Sequence, residues 1–522
     1  MRAAAEDEAV LRDAVATEVQ TGAELARGAI INIVALVTAN LRGIFTFLIA
    51  RLLGRDRLGT FGIAWATTDL LSEVGTFGMD TSTIALVAKR QAAGDDKGTR
   101  ALMRRAVTFG LLFSVLAAVA GIVAFQTIGQ QLGQNPELVR STSIMLLAVP
   151  AIALYRISNG VSRGMKVMKH DLYSKGFTET FGTIACFLAA FAIGLRELAP
   201  VVAVLFGTGA GGLMAFILAR SLVTGKAGAG ERGTASLVRF SAPIAIYGLL
   251  NLLIMRMDVL LLAFLGPSVG VSMATIGIFV ASVEISGGMR KVRQAFDPMF
   301  TPIIARQSAA QDRAAMEESF AQLGRWVLAA QLPLMGVLCL SGGIGLDIFG
   351  PEFRGHGGET WVALLAIAHA TNSFVGLAEK VIMIERAHLN LVNSGITVAL
   401  QFGASLLLIP AFGATGAALA MVLAYVTQGV LRYWILRVRF RWHWPWKALV
   451  RPVVAFLIAL VPACPLRLVI AGRPGEVAAG LTFLAAYFAA WKVIGLEETD
   501  RAVLRQLFAK RRRRGMEADE LA

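Results

Sequence analysis

Arg256 and Asp258 stand in the middle of an otherwise apolar 27-residue run, Phe240 to Gly266, FSAPIAIYGLLNLLIMRMDVLLLAFLG. A guanidinium stays charged, and its fork of donors fits phosphate oxygens two at a time. Arg42 lies at a comparable depth in an earlier run. One arginine from each run, facing a shared cavity, would suit a diphosphate. The alternative is an internal ion pair, with Asp258, Asp80 or Glu284 as partner, that fixes how two halves dock. Asp258 is two residues from Arg256 and so does not face it on one helix; it is expected to be structural. Asp69, Glu73 and Asp80 fall in a second apolar stretch, the first two at i, i+4 on one face. They would form a proton or sodium site, line a polar cavity wall, or pair with Arg42. Glu284 and Arg290 repeat the arrangement later in the chain, with Arg290 expected at a mouth where it meets an incoming anion.

Other chemistries find little support. His170, His356, His369, His388 and His443 lack metal-ligand spacing, as do Cys186, Cys339 and Cys464, so no metal site or disulfide framework is expected. His369 alone is mid-helix and reads as a hydrogen-bonded core residue. Gly207, Gly209 and Gly212 spell GxGxxG, but no strand precedes them; they read as close helix packing rather than a dinucleotide site. No GxxxxGK[ST] run is present, so ATP hydrolysis is not indicated, and no cofactor is expected beyond coupling to membrane potential or a Na+ or H+ gradient.

These residues need long elements to hold them. The chain has 522 residues, 56% hydrophobic and 16% charged, with a net charge of +15. That is the composition of a polytopic membrane protein. The basic residues fall between apolar runs and set orientation, so nucleic acid is not an expected partner. A charge deep in the bilayer costs at least ~2.5 kcal/mol on insertion scales, so the buried ones must face protein or water.

Fourteen windows of spanning length follow one another, at 28–50, 60–87, 106–128, 142–162, 177–195, 198–220, 240–266, 271–296, 326–349, 360–383, 389–410, 413–436, 450–471 and 475–495. With the N-terminus inside, forty of the fifty Lys and Arg fall on the inner side of this alternation. Both termini are therefore expected to be cytoplasmic. Outer loops are short throughout. Residues 6–25 read as an amphipathic surface helix, FRWHWPWK (440–447) as a membrane-interface segment, and KRRRRG (510–515) as a tail against anionic headgroups.

The halves echo each other. LGRDRLG (53–59) and LGPSVG (265–270) follow the first and seventh windows, and Arg42 and Arg256 share nearly the same offset. The expected organisation is all-α: an interfacial segment (1–27), a six-helix lobe (28–222), a linker (223–239), a second pseudo-symmetric lobe (240–436), an added helix pair (437–495) and a basic tail (496–522).

RLLGRDRLGTFGIAW (51–65), DLLSEVGTFGMD (69–80), MDVLLLAFLGPSVG (257–270), IFGPEFRG (348–355) and LLLIPAFGATGAALA (406–420) resemble the polysaccharide-transport family. These are the O-antigen-type lipid-linked oligosaccharide flippases of the multidrug/oligosaccharidyl-lipid/polysaccharide (MOP) exporter superfamily. The resemblance implies a two-lobed bundle around a V-shaped cationic cavity. It would move an undecaprenyl-diphosphate-linked glycan across the bacterial inner membrane by alternating access, with polysaccharide assembly proteins and membrane lipids as partners. By helix position the family's cavity arginines fall on Arg42, Arg256 and Arg290. Val271 and Ser272 stand where the family often has a tyrosine. The rival transport reading is a cation-coupled multidrug exporter using Asp69, Glu73 or Asp80. From another class, a membrane-embedded glycan polymerase or glycosyltransferase would need a large outer loop, which is missing here.

Overall fold

The computed structural model describes residues 42–131, 135–223 and 234–495, and every regular element among them is helical. The expected surface helix at 6–25, the start of the first window, the basic tail and the side chain of Arg42 lie outside the described residues. The elements are α1 (Arg42–Thr76), α2 (Met79–Ala92), α3 (Asp96–Gln131), α4 (Pro136–Met145), α5 (Val149–Gly164), α6 (Thr180–Ala192), α7 (Ala199–Leu222), α8 (Thr234–Leu265), α9 (Met273–Ala309), α10 (Arg313–Phe349), α11 (Gly358–Phe412), α12 (Ala414–Trp434), α13 (Trp446–Val469) and α14 (Gly472–Ala490). Helix satisfies every backbone donor and acceptor within the segment, which hydrocarbon demands.

α1 and α11 each carry an internal break between two windows. α1 breaks at Gly54, whose φ of 81° and ψ of −179° only glycine adopts readily, separating the first window from the second. α11 breaks at Arg386 (φ −153°, ψ 76°), between the tenth and eleventh. Among the described residues, nine helices are long and apolar enough to cross a membrane. The second window, which runs from α1 across a turn at Phe77 and Gly78 into α2, the fifth, in α6, and the eighth, in α9, are not among those nine. Asp69 and Glu73 of the second window meet arginines of other helices, whereas Glu284 of the eighth is exposed.

Elements before the linker pack on one another, as do those after it, and α1 bridges the two sets by lying against both α8 and α9. The largest core cluster accordingly draws on both, from Phe45 and Ile63 to Phe279, Leu365 and Met421. The α1–α9 approach depends on missing side chains. A Cβ placed at Gly277 would fall on the carbonyl oxygen of Arg55. Gly277→Leu is expected to cost about 1–3 kcal/mol by overpacking, whereas Gly288→Leu on the same helix, with nothing within 4 Å, should be neutral. Thermal unfolding in detergent checks this, and equal effects at the two sites would refute the close-approach account.

The last two helices, α13 and α14, pack on each other and on α10. Tyr487 Oη donates to the Ala329 carbonyl at 3.0 Å and Ser341 Oγ to that of Glu476 at 2.7 Å. The Glu476 carboxylate, buried at 2% exposure, lies between Arg354 at 2.5 Å and Arg467 at 3.2 Å. Asp347 then holds both Arg354 and Arg473 at 2.8 Å. These three arginines, ordinary outer-loop charges by sequence, are the polar dock of the added pair. FRWHWPWK is likewise not simply interfacial: Trp442 is 4% exposed, and Trp442 and Trp444 pack on Phe320 and Phe374, leaving Trp446 exposed. The GxGxxG run lies inside the uninterrupted helix α7, against the backbone of Glu179 and Ala151, which is a packing arrangement.

Candidate functional site

Where α1 passes between the halves, it presents Asp69 and, one turn later, Glu73. Arg256, from α8, chelates Asp69 Oδ2 through Nη2 at 2.9 Å and Nε at 3.1 Å. From the opposite side Arg156, on α5, donates to Asp69 Oδ1 at 3.1 Å and to Glu73 Oε2 at 2.5 Å. The side chains are only 12–23% exposed, so water screens them little. Gly248 of α8 lies directly against Glu73, where a Cβ would strike its carboxylate. Near this point Ser82 Oγ accepts from Ser241 Oγ at 2.8 Å. One carboxylate of the first half thus holds a guanidinium from each half.

Arg256 is therefore not an unoccupied anion receptor. Its partner is Asp69 rather than Asp258, Asp80 or Glu284, and Asp69 and Glu73 are engaged with Arg156 and Arg256. Asp80 follows a left-handed step at Phe77 (φ 51°) and Gly78 (φ 66°), which removes it from the Asp69–Glu73 ridge. It accepts the Thr81 amide at 2.7 Å and lines a cavity of about 170 Å³ with Arg156, Arg163 and Lys175. Arg163 is paired there with Asp171.

Asp258 is fully buried; its Oδ1 takes the Val259 amide at 2.8 Å, and Oδ2 has no hydrogen-bond partner among the described residues. Arg290 is half-buried, and its charge acts on Asp258, His369 and Tyr425. It thus stands beside buried groups of the second half, Asp258 and His369 among them. His369 is buried, but neither ring nitrogen has a hydrogen-bond partner among the described residues; its ring lies 5.8 Å from that of Tyr425. Glu284 is exposed on α9 and, with Lys291, borders a recess of about 400 Å³ shared with Gly43 and Phe47.

Sequence reading missed two groups. Arg156 lies inside the 142–162 window, where the positive-inside rule reads it as an inner-side basic residue. Glu379, at the end of the tenth window, anchors a second network: Tyr247 Oη donates to its Oε1 at 2.8 Å, Arg432 Nη2 to its Oε2 at 3.1 Å, and Arg293 lies 3.7 Å away. Arg293 and Lys380 also approach Asp297, at 3.9 and 4.0 Å. A basic residue within two turns of the inner end of its window was the available signal, but the positive-inside rule assigns such a residue to a loop.

The fold is a helical bundle in two sets bridged by α1 and α2, like that of MOP-superfamily transporters of known structure. The comparisons agree. A MatE family model matches residues 32–188, under a third of the chain. The lipid II flippase MurJ in an inward closed conformation aligns with a TM-score of 0.67 at 14% identity, over 89% of this chain and 98% of MurJ. An inward-facing multidrug resistance MATE family transporter of the MOP superfamily aligns at 0.65 and 12%, over 78% of this chain and 94% of its own. A MOP superfamily transporter from Pyrococcus furiosus, described as having a binding pocket of reversed polarity, aligns at 0.61 and 14%, over 80% and 98%. No curated relative matches.

Proposed function

We propose that the chain is a flippase translocating an undecaprenyl-diphosphate-linked oligosaccharide, of the O-antigen or exopolysaccharide repeat-unit kind, across the bacterial inner membrane by alternating access. The observation that carries the reading is the convergence of Arg156 and Arg256 on Asp69 from opposite halves. A site that binds a carboxylate oxygen by two donors of one guanidinium, with a second guanidinium on the other oxygen, also fits a phosphate. On this reading Asp69 holds the place of the substrate anion, and the diphosphate takes over the arginines as the halves rock. The polyprenyl tail stays in lipid throughout. Each net charge moved through the field is worth ~2.3 kcal/mol per 100 mV, so membrane potential is a ready source of drive.

A second reading, a cation-coupled multidrug exporter, is favoured by the MatE match and by Asp80, which has no ion pair among the described residues although it faces a cavity. Reconstitution separates the two. If the flippase reading holds, Arg156→Ala and Arg256→Ala each slow translocation of a labelled lipid-linked sugar about 10- to 100-fold, the worth of a charged hydrogen bond, while Asp80→Asn does not. Undiminished sugar transport in both arginine variants, with organic-cation efflux lost in Asp80→Asn, would establish the exporter instead.

A further inference from the structure

On the lipid-facing side of the first half, away from the Asp69 cluster, α3 and α7 both pack on α5 and stand apart from each other. Between them runs a groove of about 510 Å³, within the usual size of a ligand site. α3 contributes Arg100, Met103, Arg104 and Val107, which are one helical face by their i, i+3, i+4, i+7 spacing, and α7 contributes Phe216 and Arg220. The helices run in opposite directions, so the three arginines gather at one end and the apolar residues lie deeper. Arg104 and Arg220 are exposed and have no ion pair among the described residues. The same faces continue as exposed apolar surface, with Val115 at 47% on α3 and Leu213 at 57% on α7. Such surface belongs against acyl chains.

We infer that this groove binds an anionic diacyl phospholipid, its phosphodiester between Arg104 and Arg220 and its chains along Val107, Phe216 and the apolar faces beyond. Charge complementarity selects the occupant: the two exposed guanidiniums of Arg104 and Arg220 answer a phosphate, and paired apolar walls answer two chains. A basic pocket between membrane helices is the setting in which anionic lipids are held.

Native mass spectrometry of the full chain, purified in detergent with dioleoyl phosphatidylglycerol or dioleoyl phosphatidylcholine, tests this. Retention of phosphatidylglycerol over phosphatidylcholine is expected, and Arg104→Gln/Arg220→Gln should cut it about thirtyfold, roughly fivefold per arginine. Arg439→Gln/Arg441→Gln, outside the groove, should leave it unchanged. An equal loss in that control would mean diffuse charge and would overturn the site, as would equal retention of both lipids. Displacement by excess inorganic phosphate or by equimolar undecaprenyl phosphate would also overturn it, by assigning the groove to a free anion or to a single-chain carrier. Melting curves matching the unmodified chain's confirm that both double variants are folded. Because the groove shares no residue with the Asp69 cluster, its failure leaves the flippase reading untouched.

Discussion

Asp69→Asn is expected to uncouple the two halves. The change removes the charge that Arg256 chelates, and no other carboxylate is paired with Arg256 among the described residues; Arg156 retains Glu73. Removing one partner of a buried pair costs about 3–5 kcal/mol, and the partial exposure here places the loss near the lower figure. Two measurements follow. Ser82→Cys/Ser241→Cys, whose parent hydroxyls lie 2.8 Å apart across α2 and α8, should cross-link readily in the unmodified background and poorly with Asp69→Asn. Asp69→Asn/Arg256→Gln should be more stable than Asp69→Asn alone, since it leaves no orphaned guanidinium. Strict additivity of the two substitutions would show that the pair carries no coupling, and with it the placeholder role of Asp69 would fall.

The second large effect is expected at Glu379. Arg432 is 2% exposed, Glu379 is its carboxylate partner, and its Nε already lacks a hydrogen bond among the described residues. Glu379→Gln strands a buried positive charge, again about 3–5 kcal/mol, and also weakens the hold on Arg293. Glu379→Met/Arg432→Met should recover most of the loss, because two apolar side chains need no solvation. Thermal unfolding of the three forms decides the matter: if the double variant is as unstable as Glu379→Gln, packing rather than charge holds this corner of the second half.

Both predictions concern pairs formed across long stretches of chain. Arg256 stood out in a 27-residue apolar run because an isolated charge there has no local explanation. Its partner did not, since Asp69 is 187 residues away and three other carboxylates were equally plausible. Arg156 was hidden for a different reason: near the inner end of its window, a basic residue in a loop and one turned into the bundle look alike in one dimension. Trp442 and Trp444 misled similarly, because an aromatic-basic alternation has the same composition whether it meets headgroups or caps Phe320 and Phe374.

Run length and composition by themselves determined the all-helical class and the approximate positions of most helices among the described residues, down to the break near Gly54. Those features are local: hydrocarbon thickness sets how many apolar residues a helix needs, and lipid permits no unpaired backbone. Which helix faces which was decided only by the tertiary structure, through side-chain volume and charge meeting across the bundle. That is why Arg256, Arg156 and Asp69 became one cluster, and α3 and α7 were left with a groove between them.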